Sequence, residues 1–426
     1  MSIRKDIAAN YIGAAVAALA PILAIPWYIS ILGTEYWGLI SFISVLQGVL
    51  GLLNVGLGQS LIREFSRLAV DPENGRKKIA TVLFGFERIY WSFSLVMAIF
   101  LCICANVIID HWLKLGDIPA DMGRMVVYGA AGIFAAQFPV SIYRSVLVGC
   151  NGQVTQNVLV ASGAVARHAG GVFVLIVIDS ISAYLIWNVL MTLIETLVTA
   201  RFGWEILGVK RSGVFWCLVE IRKLFSFSLG WSLAVMLAIL TMQVDKLVIS
   251  SMLPIEQLGF YAIASAVAMG LLQLFSPIAS AALPRIVQLQ DQPQVQKRLN
   301  LKLFAVMLAI GSGAAVVFLF AGETVLNYWL RDKSVVDTIL PVLSMLLVGT
   351  AMNAIYNVGY MNWLAAGATS KILKVNTISL GVAVIITPLF VAENGLLGAS
   401  AAWLVINSVG MFLSLDWLAK GKIINA

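Results

Sequence analysis

The chain has 426 residues, of which 60% are hydrophobic and only 12% charged. An ordinary soluble domain carries about a quarter charged residues, so the composition excludes a water-soluble enzyme or binding module and requires an apolar solvent. The net charge of +7 would suit a nucleic-acid partner, a reading that the placement of the cations removes below.

A hydrocarbon core about 30 Å thick takes roughly 20 apolar residues per helix. About twelve such segments are predicted, over 10–32, 38–60, 80–108, 125–147, 155–178, 182–200, 226–250, 259–283, 302–321, 337–364, 372–392 and 397–418. The fold class is therefore an all-α polytopic membrane protein. A transmembrane β-barrel does not fit, because the apolar runs are unbroken at period two. The first segment is too long for a signal-peptide core and reads as an uncleaved span. Its Pro21 and Pro26 predict a kink or an unwound turn. The third and tenth segments are long enough to need tilt, kinks or interfacial turns. The longest loops fall near 61–79, 201–225 and 284–301, and no soluble domain is inserted.

Polar residues recur at helical spacing in several segments, which puts them on one face. In chain order these stripes are Ser44, Gln47 and Asn54; Gln137, Ser141 and Arg144; Asn157 and Arg167; Asn188, Thr192, Glu195 and Thr199; and Asn353, Asn357 and Tyr360. One stripe alone reads as helix–helix hydrogen bonding, whereas five together predict a hydrated cavity. Arg167 and His168 lie near the middle of the fifth segment, Arg144 a turn or more inside the fourth, and Asp245 and Lys246 inside the seventh. An ionised side chain at the bilayer centre costs about 2.5–3.5 kcal/mol on insertion scales, so such charges are kept for use. Arg63, Arg88 and Arg285 fall at segment ends, where snorkelling to headgroups is the plain alternative. Arginine matches phosphate oxygens bidentately, which makes a phosphate or pyrophosphate the expected cargo group. Asp245 and Lys246 are neighbours about 100° apart on a helix and are expected to be poor partners for each other. Asp245 and Glu195 are the candidate ion-coupling carboxylates, with pairing to a cation on another helix as the alternative for Asp245.

With a cytoplasmic N-terminus, the even-numbered loops and both ends hold most of the Lys and Arg, among them Arg67, Arg76, Lys77, Lys78, Lys210, Arg222, Lys223, Lys297 and Arg298. The opposite side keeps only Lys114, Arg124, Arg331 and Lys333, with most of the loop acids. This asymmetry sets the orientation and assigns the excess charge to anchoring beside anionic lipid, not to nucleic acid. The four cysteines, Cys102, Cys104, Cys150 and Cys217, form no disulfide framework. The two histidines give no metal-ligand pattern, and there is no Gly-x-x-x-x-Gly-Lys-Ser/Thr run for a nucleotide. No cofactor is expected.

A faint internal repeat appears at an offset of about 221 residues, which lays Leu32–Gly38 over Leu253–Gly259. It predicts two six-helix halves, 1–210 and 211–426, of the same orientation, with a substrate path between them.

Four stretches then carry a resemblance over nearly the whole chain. They are Gly56-Leu-Gly-Gln-Ser-Leu-Ile-Arg63-Glu64; Tyr143-Arg144-Ser-Val-Leu-Val-Gly149 with Gln153 and Asn157; Gln243-Val-Asp245-Lys246-Leu-Val-Ile-Ser250; and Leu258-Gly259-Phe-Tyr261-Ala-Ile-Ala264. In these the chain resembles the Wzx-type O-antigen and polysaccharide flippases of the multidrug/oligosaccharidyl-lipid/polysaccharide exporter superfamily. The resemblance implies twelve helices in two six-helix lobes around a central cavity, V-shaped, working by alternating access. It implies a bacterial inner membrane location, with an undecaprenyl-pyrophosphate-linked oligosaccharide carried from the cytoplasmic to the periplasmic leaflet. A polysaccharide polymerase and a chain-length regulator are the implied protein partners. The positions that suit cationic cavity residues are Arg63, Arg144, Arg167, Lys246 and Arg285, with His168 beside Arg167. Asn353, Asn357 and Tyr360 suit sugar hydroxyls. A cation-coupled drug exporter of the same architecture is the alternative, and would have a cavity dominated by acids and aromatics. A membrane polysaccharide polymerase ranks lower still, because the longest periplasmic loop, near 109–124, has no paired carboxylates.

Overall fold

The computed structural model describes residues 3–54, 57–71, 74–209, 211 and 232–419. These are helical almost throughout, with no β-strand among the described residues. Nine of the helices are long and apolar enough to cross a membrane, or ten if one bent pair is a single span. The chain is thus an all-α multi-pass membrane protein. It divides into two compact units, Met1–Val235 and Met236–Ala426.

In the first unit α1 runs over Ile3–Gly51, followed by a 3-10 turn at Leu52–Asn54 and α2 over Leu57–Leu68. Helix α3 covers Asn74–Val107 and ends in a π turn at Ile108–Trp112. The remaining helices are α4 (Ala120–Gln137), α5 (Val140–Gly149), α6 (Gln153–Ile178) and α7 (Ile181–Leu207). Helix α1 packs on α6, α6 on α7, α3 on α4, α2 on α5, and α4 on α7. Phe65, Phe86, Tyr90, Phe134, Phe138 and Tyr143 build an aromatic core where α2 to α5 meet.

At 1.5 Å per residue the 49 residues of α1 would extend about 74 Å, more than twice a hydrocarbon core. The helix resolves this at Gly33, whose φ of 81° and ψ of 170° lie in a region open essentially to glycine alone. Pro21 and Pro26 were the expected break, yet the backbone keeps helical dihedrals through both. A proline's fixed φ is itself helical and costs one hydrogen bond, so it bends a helix less decisively than a positive-φ glycine. The first predicted segment and the larger part of the second therefore lie in α1, on either side of the break at Gly33. The last two behave alike, in α13 (Thr369–Ser414), with the break at Gly395 at φ 56°.

Helix α8 (Ser232–Thr241) crosses the boundary between the units, and α9 (Val244–Met252), bent by 41° from it, follows in the second unit. Helices α10 (Ile255–Gln288), α11 (Pro293–Leu330), α12 (Lys333–Ala365), α13 and the short α14 (Asp416–Ala419) complete it. Helix α12 is the hub, packed against α10, α11 and α13, while α9 lies on α13. Asp332 caps α12, its carboxylate accepting from the Ser334 and Val335 amides at 2.9 and 3.3 Å. Its hydrogen bond from the Ser334 hydroxyl, with those amide bonds, holds the carboxyl below the usual range.

The expected long loops at 61–79 and 284–301 are mostly helix, since α2 and the start of α3 fill the first, and α10 and α11 close the second to 289–292. A helix does not stop where its apolar residues do, because its backbone bonds are satisfied by continuing. Of the third loop, α7 takes the part to Leu207, and most of the rest lies outside the described residues, with Lys210, Cys217, Arg222 and Lys223. Cys102, Cys104 and Cys150 are free thiols.

Candidate functional site

Three helices of the first unit converge on one carboxylate. Glu195, buried on α7 at 8% exposure, accepts from Arg144 of α5 at Oε1 and from Arg167 of α6 at Oε2. Gly163, one turn before Arg167, makes the approach possible, because a Cβ there would collide with the Glu195 carboxylate. Glu195 lies twelve residues from Leu207, the nearer end of α7, about 18 Å along the axis. Arg167 is eleven residues, or about 16 Å, from the nearer end of α6. Both residues thus sit near the middle of their helices.

Two guanidinium groups against one carboxylate leave this centre with one net positive charge. Each arginine meets a single carboxylate oxygen, so neither is engaged in the bidentate fork that a phosphate offers. Around the centre, Asn188, Thr192 and Thr199 are buried. Asn188 donates to the Tyr184 carbonyl at 3.0 Å and Thr199 to that of Glu195 at 2.6 Å. That stripe therefore faces the interior of the unit. Of the other stripes here, Gln47 donates to the Ala130 carbonyl at 2.9 Å, Asn54 accepts from Tyr90 at 3.0 Å, and Ser44 and Gln137 are exposed.

His168 is not part of the arginine–glutamate centre. The Tyr28 hydroxyl lies 3.4 Å from its Nδ1 and donates to its carbonyl at 3.2 Å. Tyr28 stacks on Trp37 at 5.6 Å and meets Tyr184 edge-on at 5.4 Å, so aromatic packing from both arms of α1 flanks the histidine. Arg63 is exposed on α2, and Arg88 is exposed over the Phe84 ring at 4.2 Å. A second ionic cluster went unread in the sequence. Buried Glu87 accepts from the Tyr143 hydroxyl at 2.6 Å and from Arg211, and Trp91 donates to the same hydroxyl at 3.1 Å. A lone acid in a long apolar run next to Arg88 was the available signal.

In the second unit Asp245 stands in the first turn of α9, just past the bend. Its Oδ1 accepts the Lys246 amide at 2.7 Å and the Lys246 ammonium at 3.3 Å, and its Oδ2 accepts the Tyr261 hydroxyl at 2.6 Å. The expectation that these neighbours are poor partners is thus corrected: lysine's flexible four-carbon stem lets its ammonium fold back, where it also donates to the Met242 carbonyl at 3.0 Å. Arg285 is exposed near the end of α10.

Asn353, Asn357 and Tyr360 come together on α12, lining a cavity of about 250 Å³. Tyr356 and, on α13, Asn376, Trp403 and Asn407 join them. Tyr356 shares the helical spacing of the Asn353 stripe and was legible in principle, whereas the α13 residues are not linked to it by any periodicity. Among the described residues no group of three or more potential metal ligands occurs.

The family model described as polysaccharide biosynthesis protein matches residues 3–290. A protein named as a candidate O-antigen transporter from Shigella flexneri is 24% identical over 427 residues, covering 98% of each chain. Among solved structures, a lipid II flippase, MurJ, in an inward closed conformation matches with a TM-score of 0.78 and 15% identity, covering 98% of this chain and 88% of that one. An inward-facing multidrug resistance MATE family transporter of the MOP superfamily matches at 0.70 and 14% identity, over 95% and 93%. The two solved structures share the fold of this chain, and the three names are those of transporters and flippases.

Proposed function

The chain belongs to the polysaccharide biosynthesis protein family, and from that premise we propose that it is a flippase for an undecaprenyl-pyrophosphate-linked oligosaccharide, an O-antigen or similar repeat unit. It works in the bacterial inner membrane with both termini cytoplasmic, moving the cargo to the periplasmic leaflet by alternating access. The observation that carries the reading is the buried centre of Arg144, Arg167 and Glu195, with its single net positive charge. A pyrophosphate can replace the carboxylate as the partner of both guanidiniums and adds the bidentate geometry that Glu195 does not use. Glu195, released from both arginines, is left as a buried charge that needs a new partner, which makes it the candidate ion-coupling carboxylate. Ion binding and cargo binding are thereby coupled at one residue, and Asp245 is the second coupling carboxylate. Arg63 and Arg285 gather the cargo at the cytoplasmic surface. The polymerase and chain-length regulator act on the repeat unit after transfer.

The MATE-like fold favours a cation-coupled drug exporter as the second reading. Such a protein needs a binding centre with net negative charge, whereas this buried centre is net positive. The deciding test is O-antigen display in cells that depend on this chain. Arg167→Ala is expected to abolish display while the protein inserts at its normal level, and Arg167→Lys to retain part. Full display with Arg167→Ala would remove the residue from the mechanism.

A further inference from the structure

The cavity of the second unit differs in chemistry from the arginine centre. None of its lining side chains carries a formal charge. It presents four asparagines, with the rings of Tyr356 and Tyr360 5.8 Å apart and tilted by 48° and the indole of Trp403 nearby. Its volume of about 250 Å³ is below the roughly 300–1,000 Å³ of drug-sized pockets and suits one six-membered ring with its substituents.

The amides are held in place by one another. Asn353 donates to Asn407 Oδ1 at 2.7 Å, and Asn357 donates to the Asn353 carbonyl and Oδ1 at 2.9 and 3.1 Å. Asn407 in turn donates to the Trp403 carbonyl at 2.8 Å. The Tyr356 hydroxyl faces Asn376 Oδ1 at 3.4 Å. These bonds fix amide orientation across α12 and both arms of α13, the preorganisation that a selective site requires. An amide offers donors and an acceptor together, which matches hydroxyls that both donate and accept. Aromatic faces match the C–H faces of a pyranose. An anion finds no cation in the lining and an organic cation finds no carboxylate. The Lys246 ammonium, which donates to the carbonyl of the lining residue Met242, is also bonded to Asp245.

We propose that this cavity binds a single uncharged sugar ring of the cargo and selects neutral hexoses and N-acetylhexosamines against hexuronic acids. The sugar's biological source rests on the flippase reading, while the chemistry of the pocket does not. A carboxylate brought into this lining would lose hydration without gaining a charged partner, which gives the pocket its selectivity.

The test uses the purified full chain in lipid nanodiscs and ligand-observed NMR. The probes are a methyl hexopyranoside, a methyl N-acetylhexosaminide and a methyl hexuronide. The neutral glycosides are expected to saturate in the millimolar range and the uronide to bind at least about tenfold more weakly. Asn407→Leu and the milder Ser379→Ala, at another residue of the lining, and Tyr360→Phe are expected to weaken neutral binding in that order, with Asn407→Leu strongest, while Val317→Ala, exposed on α11, leaves it unchanged. No saturable glycoside binding, equal binding of the uronide, or indifference to all three lining variants would each overturn the proposal. Transfer of lipid-linked oligosaccharide in proteoliposomes separates the two readings. Glycoside binding without any transfer would sink the flippase and spare the pocket, and transfer without glycoside binding would do the reverse.

Discussion

Glu195 is the residue on which the first unit's buried charge depends. Removing one partner of a buried ion pair costs about 3–5 kcal/mol, because the remaining charge is left without compensation. Glu195→Gln strands two guanidiniums, whereas Arg167→Gln still leaves Glu195 its bond to Arg144. Glu195→Gln should therefore destabilise the protein by about 3 kcal/mol, and Arg167→Gln by less. The double variant should cost less than the sum by about 1 kcal/mol or more. Denaturant unfolding of the four proteins in one detergent measures this cycle, and strict additivity would mean that the pair is not coupled. The depth of Arg167 and Glu195 in apolar segments was legible from sequence, because charge in hydrocarbon is conspicuous. Their pairing was not, since Arg144, Arg167 and Glu195 come from three helices and only packing, through the gap at Gly163, brings them together. Lys246 shows the opposite failure: an argument from helix angle ignored the reach of its own side chain.

At the scale of elements, apolar runs located the helices well and their joints poorly. Hydropathy reports where lipid is, not where the backbone turns, so α2 and the ends of α10 and α11 were mistaken for loops. The repeat offset lays Gly33 over Pro254, and each interrupts consecutive helices in its own unit, Gly33 at φ 81° and ψ 170° and Pro254 at φ −53° and ψ 147°. The break at Gly33 rests on backbone freedom alone, because a Cβ added there meets nothing within 4 Å. Gly33→Ala should therefore cost about 1–3 kcal/mol, the penalty for a non-glycine residue in that region. Gly313 supplies the control, since it lies inside α11 with open space around it and no positive φ. Gly313→Ala should stabilise by about 0.5–1 kcal/mol through helix propensity. Thermal unfolding of the two variants reads both signs, and a stabilised Gly33→Ala would show that the break is not a glycine-only conformation.

For the whole molecule, the direction of transport depends on which face meets the cytoplasm, and the cations argue for one answer. Lys and Arg concentrate on the side of the α2–α3 turn, the signature of a cytoplasmic face. These residues form a basic rim that the anionic headgroups of a cytoplasmic leaflet would hold by attraction. Helix α3 separates two suitable reporters, with its 34 residues spanning about 51 Å. Val70 is 82% exposed in the α2–α3 turn, and the Asp121 side chain is 93% exposed in the first turn of α4. In a background with Cys102, Cys104, Cys150 and Cys217 replaced, Asp121→Cys should react with a membrane-impermeant maleimide in intact cells. Val70→Cys should react only after the inner membrane is opened. The reverse pattern would place the basic rim in the periplasm, where a gathering role for Arg63 would face the product side. Labelling of both in intact cells would mean that the protein is inserted in two orientations. The expected pattern would place Arg67, Arg76, Lys77 and Lys78, on either side of the α2–α3 turn, on the cytoplasmic face, where the cation asymmetry of the sequence puts them.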